Sequence, residues 1–133
     1  PGGTLAFSTW PKELFMGKFF KLIEDFSPPL PAEVASPVLW GDMTIIQERL
    51  EKQFEKIEFG RDTMYAPTMS PAHMLKLFEK NAGPLANLVK ALGDDPTKLT
   101  ELRDAALDLI NKFFSNNFLR QDFLMTRCIK KAS

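Results

Sequence analysis

The sequence predicts an α/β fold with three strands and about five helices. Three short runs rich in β-branched and aromatic residues read as strands. The longer stretches between them repeat their apolar residues at helical spacing, and Pro, Gly, Ser and Asp punctuate the joins. At 133 residues, 44% hydrophobic and 26% charged, the chain is one domain's worth of ordinary globular sequence.

The first strand is TLAFST, Thr4–Thr9, opened by Pro1-Gly2-Gly3 and closed by Trp10-Pro11, with the length and flanking turns of a buried strand. KELFMGKFFKLIEDF follows, where Phe15, Phe19, Leu22, Ile23 and Phe26 share one helical face that Gly17 weakens. SPPLPAEVASP, with four prolines, predicts an irregular extended connection. GDMTIIQERLEKQF forms the second helix, capped by Asp42, with Met43, Ile46, Leu50 and Phe54 on its apolar side. KIEFGRDTMYAP is the second strand, with Gly60 at a bulge. Ser70-Pro71 starts a helix with Met74, Leu77 and Phe78 inward, and Gly83-Pro84 breaks it. PLANLVKAL forms the next, and Asp95-Pro96 opens the longest, with Leu99, Leu102, Ala106, Leu109, Ile110 and Phe113 along one face. Asn116-Asn117 turns the chain into DFLMTRCIKK, whose lack of alternation predicts a strand buried on both faces.

Lys and Arg together number 17, as do Asp and Glu, so no net charge advertises a nucleic-acid partner. One cysteine and one histidine build neither a disulfide framework nor a zinc site, and a reducing, cytoplasmic setting fits. No apolar stretch approaches the roughly 20 residues of a membrane span. The 12 Phe and 6 Met suit a filled core or a pocket for an apolar ligand.

With PGG before the first strand, Trp40-Gly41-Asp42 at the second helix, Ser70-Pro71 at the third, the Gly83-Pro84 break and a closing strand ending in Lys130-Lys131, the chain resembles the C-terminal half of class I S-adenosylmethionine-dependent methyltransferases of the small-molecule type. That resemblance implies a portion of a Rossmann-like, seven-stranded sheet. Thr4–Thr9 would be the fifth strand, Lys56–Tyr65 the sixth and Asp122–Lys130 the seventh, in the order fifth, seventh, sixth and mostly antiparallel. It implies a single-domain fragment spanning 1–133, with lid segments at about 12–40 and 67–92, whose partner half, absent from this sequence, binds S-adenosylmethionine. The whole protein would transfer a methyl group to a small molecule, and this chain alone would be inactive. In the family the first strand pairs with a neighbour upstream of PGG, so residues 5–8 are expected to form an open edge through which the fragment self-associates.

The substrate-binding candidates are Trp10, at the carboxyl end of the first strand, Phe15 and Phe19 on the next helix, Trp40, Tyr65 and His73. For the aromatics the competing role is core packing. His73, in the first turn of its helix, is placed to stay neutral and act as a base, or to lie at the surface. Tyr65 would bond a substrate or finish its strand, and Cys128 is an inert buried thiol. Two other functions fit the composition: a standalone, non-catalytic binding module for an apolar ligand, and a non-catalytic subunit of a split methyltransferase.

Overall fold

A computed structural model describes residues 2–29, 31 and 34–132. Pro1 of the expected opening turn and Leu30, Ala32 and Glu33 of the expected connection lie outside the described residues. The element order is β1 (Thr4–Thr9), α1 (Phe15–Phe26), a 3-10 turn (Pro37–Gly41), α2 (Met43–Leu50), β2 (Phe54–Pro67), α3 (Pro71–Asn81), α4 (Gly83–Ala91), α5 (Pro96–Phe113), β3 (Phe114–Ser115) and β4 (Phe118–Lys130). Among the described residues the fold is α/β, with five α-helices and an open, antiparallel sheet of four strands.

Local chemistry accounts for most boundaries. Asp42 Oδ1 accepts from the backbone N–H of Thr44 and Ile45, Ser70 Oγ from His73 and Asp95 Oδ1 from Lys98, so three helices start on side-chain caps. Asn116 and Asn117 hold φ of 48° and 61°, the two left-handed residues of a tight hairpin. That hairpin adds the short β3, which the sequence reading lacks, and starts the last strand at Phe118 instead of Asp122. β2 is also longer than expected, because Phe54 leaves the α2 face and enters the strand. Its irregularity falls between Glu55 and Glu58, where Lys56 has φ of 50°, whereas Gly60 pairs regularly with Met125.

β4 lies between β1 and β2, antiparallel to both, so β1 and β2 run parallel to each other. Side chains alternate faces along a strand, and two apolar clusters meet β4 from opposite sides. Leu119 enters a cluster with Phe15 and Phe19 of α1, Met74 of α3, Leu85 of α4 and Ile110 of α5. Leu124 and Cys128, of opposite parity, pack with Ile46 and Leu50 of α2. Each face is therefore covered at one end. The expectation of a strand buried on both faces is corrected to that extent: Met125 and Arg127 are exposed. β1 is mostly exposed too, because among the described residues it pairs on one side only, with β4.

The corner after β1 is gripped from two directions. A Cβ on Gly17 would stand 2.2 Å from the Pro11 carbonyl oxygen, and one on Gly41 would stand 2.0 Å from that of Trp10. Pro11 is fully buried between them. Both glycines permit close backbone approach, which explains why α1 tolerates a poor helix former in its first turn. Gly41→Ala is expected to destabilise the protein by about 1–3 kcal/mol, the usual cost of overpacking. Gly60→Ala, with nothing within 4 Å of its Cβ, should be neutral or stabilising by up to about 1 kcal/mol. Urea denaturation of the two variants checks both signs.

Candidate functional site

The carboxyl ends of β1 and β2 lie toward the same end of the sheet, the usual place for a ligand in an open α/β sheet. β1 stops level with Leu124, while β2 runs on from Asp62 to Pro67, roughly 20 Å further. This step creates two neighbourhoods.

The first surrounds the corner after β1. A groove of about 260 Å³ is lined by Lys12, Glu13, Gly41, Asp42, Met43, Thr44 and Arg61. Its charges are paired: Lys12 Nζ lies 3.6 Å from Asp42, and Arg61 donates to Glu13 at 3.3 Å. Such exposed pairs contribute little to stability, but they leave N–H donors and carboxylates able to re-pair with a polar molecule. Trp10 borders this corner, half-buried and edge-on to Phe123 with ring centroids 6.4 Å apart.

The second lies at the end of β2, in a shallow groove of about 400 Å³ lined by Pro67, Thr68, Met69, His73, Asn117 and Phe118. The backbone N–H of Met69 donates to His73 Nδ1 at 3.4 Å, and Thr68 Oγ1 lies 2.9 Å from the same nitrogen. With Nδ1 as the acceptor of the Met69 N–H, a neutral ring carries its proton on Nε2. Tyr65 is 60% exposed and meets the edge of Phe118 at 6.3 Å, which places it beside the His73 groove.

The remaining candidates lie elsewhere. Phe15 and Phe19 are 0% and 1% exposed; Phe15 stacks on both Phe19 and Phe78, and Phe19 packs tilted against Phe78, so core packing takes them up. Trp40 stands edge-on to Phe7 beneath the Arg49 guanidinium, 4.6 Å from its ring centroid. Cys128 is buried under α2, which pushes its thiol pKa up and keeps it protonated and unreactive.

Sequence reading missed a polar node between the two grooves. Asp122, 9% exposed, accepts at Oδ1 from Thr63 Oγ1 at 2.5 Å and from Arg120 Nε and Nη2 at 3.0 and 2.8 Å. Burial alone would raise its pKa. The Thr63 hydroxyl and the Arg120 guanidinium outweigh that, with help from Arg61, and hold the carboxyl below its ordinary 3.8. Arg120 and Asp122 stand two apart on one strand face, a spacing visible in the sequence, but Thr63 joins them only through the β2–β4 register.

Among the described residues no group of three or more His, Cys, Asp or Glu could hold a metal ion, and no helix is long and apolar enough to cross a membrane. Neither strand-to-helix connection, residues 10–14 or 68–70, contains a glycine. Both lack the glycines with which a glycine-rich turn lets the backbone approach a nucleotide-like cofactor.

No family model matches the chain. It is similar to Uncharacterized protein Rv1405c of Mycobacterium tuberculosis and Uncharacterized protein Mb1440c of Mycobacterium bovis. Each is 22% identical over 132 residues, covering 98% of this chain and 48% of the relative. Uncharacterized protein Rv1403c of Mycobacterium tuberculosis is 22% identical over 125 residues, 93% of this chain and 46% of the relative. The chain thus spans about half the length of these relatives.

The Asp122 node gives a pH dependence. A depressed folded pKa contributes stability that is complete above the unfolded value and lost as pH falls through the folded one. Wild type should therefore be more stable than Asp122→Asn at pH 7, and the difference should close below pH 3.8. Urea midpoints measured from pH 7 to pH 2 check this.

Proposed function

We propose that this chain is the acceptor-side half of an S-adenosylmethionine-dependent methyltransferase acting on a small molecule. The reading rests chiefly on one observation: the last strand is antiparallel and inserted between the two earlier long strands. This is the arrangement expected of the fifth, seventh and sixth strands of a seven-stranded methyltransferase sheet. Two further facts support it. The chain spans about half of its relatives, and the two segments expected to form the lid pack together through Phe19 of α1 and Phe78 of α3, with ring centroids 4.9 Å apart.

In this reading S-adenosylmethionine supplies a sulfonium methyl group and is held by the other half. This half binds and orients the acceptor near the carboxyl end of β1 and keeps water from it, which suffices for a displacement limited by alignment. Trp10 would supply an apolar wall there, and the Lys12, Glu13 and Arg61 groups would bond the acceptor's polar atoms. Tyr65 and the Nε2–H of His73 would serve the second groove.

Equilibrium dialysis with radiolabelled S-adenosylmethionine tests this. Full-length Rv1405c of Mycobacterium tuberculosis should bind it, and the present chain alone should not. A full-length relative that fails to bind, or binding by the present chain alone, would overturn the assignment.

The open edge of β1 has a consequence of its own. Thr4–Thr9 contains no charge and no proline, the devices that normally protect an edge strand, and Leu5 is 37% exposed. The chain alone should self-associate at tens of micromolar by light scattering, and Ala6→Lys should make it monomeric. A wild-type monomer over that range would show that the edge is not adhesive.

A further inference from the structure

The groove between the end of α1 and the start of α4 lies apart from both neighbourhoods at the sheet end. It encloses about 410 Å³ and is walled by Phe20, Ile23, Pro28, Pro29, Pro37 and Pro84. That volume lies within the range of small-molecule sites, and the apolar walls match their usual composition.

The walls also restrict what can bind. Proline carries no backbone N–H, so four of these residues offer no donor. The two serines nearby have committed theirs: Ser27 Oγ donates to the Ile23 carbonyl at 2.7 Å, and Ser36 Oγ donates to Glu24 Oε1 at 2.6 Å. The Ser27 backbone N–H is spent on the Glu24 carbonyl. Glu24 lines the groove, half-buried, and among the described residues no Lys or Arg nitrogen lies within 4.0 Å of its carboxylate. The groove therefore combines apolar surface, few free donors among the described residues and one carboxylate whose second oxygen receives no hydrogen bond from them. A ligand that satisfies it brings an apolar body and a positively charged donor.

We propose that this groove binds an organic ammonium ion, its hydrocarbon part against Phe20 and the proline rings and its N–H groups on Glu24. The site is independent of the methyltransferase reading and stands or falls on its own test.

Amide chemical-shift titration of the isotope-labelled protein provides that test, with phenethylammonium, 2-phenylethanol and 3-phenylpropionate as probes that share a phenethyl body and carry three different charges. Phenethylammonium should saturate with a Kd on the order of 1 mM, shifting Ile23, Glu24 and Ser27. The other two should bind at least about tenfold more weakly, because they lack the charge-assisted bond. Glu24→Gln should erase the preference, while Ser36→Ala, which keeps the carboxylate, should retain it. Equal affinities for the three probes, no saturable shift with phenethylammonium, or shifts confined to another part of the molecule would overturn the proposal. The comparison of probes on the wild type decides even if Glu24→Gln fails to fold.

Discussion

The close approach of three backbone segments at Trp10, Pro11 and Lys12 is the constraint on which the arrangement depends. Gly17 brings α1 onto the Pro11 carbonyl, and Gly41 brings the 3-10 turn onto that of Trp10. Because α1 carries Phe15 and Phe19 into the larger apolar cluster while the 3-10 turn leads directly into α2, this corner sets where both covering layers begin. It also fixes Lys12 and Glu13 at the mouth of the first groove. A side chain at either glycine would have to move main chain, which a packed interior resists.

Much of the fold was legible in the sequence because its signals are local. Asp42, Ser70 and Asp95 announce helix starts, and each makes the cap hydrogen bond that its residue type suggests. The paired asparagines announce a turn, although the two-residue β3 preceding them is too short to leave a pattern of its own. Gly17 and Gly41 were opaque for the opposite reason, since the segment each glycine makes room for comes from elsewhere in the chain. β4 was legible in part. Its unbroken apolar run reflects two different layers, but which end of each face is covered depends on where the helices come to rest.

The candidate site was less legible, and the residues show why. Phe15, Trp40 and Trp10 are all aromatics near the first strand, yet one is sealed in the core, one lies under an arginine at the surface and one stands half-buried at the sheet end. Side-chain type does not report the layer. The sequence places His73 in the first turn of a helix, but its Nδ1 contacts come from the Met69 amide and Thr68 hydroxyl just outside that helix. The Asp122 node depends on a residue brought across by strand pairing.

The separation of the apolar residues into two clusters on opposite faces of β4 also shapes the molecule's motions. The smaller cluster is closed by a helix of eight residues, with Ile46 and Leu50 as its buried contacts. A short helix with so little buried surface is a natural unit of sub-global opening. α2 can lift away while α1, α3, α4 and α5 stay packed, and the amides of the two layers would then exchange with solvent at different rates. In that opened form Cys128 would lose its cover, so its chemical silence belongs to the closed form and not to the thiol itself.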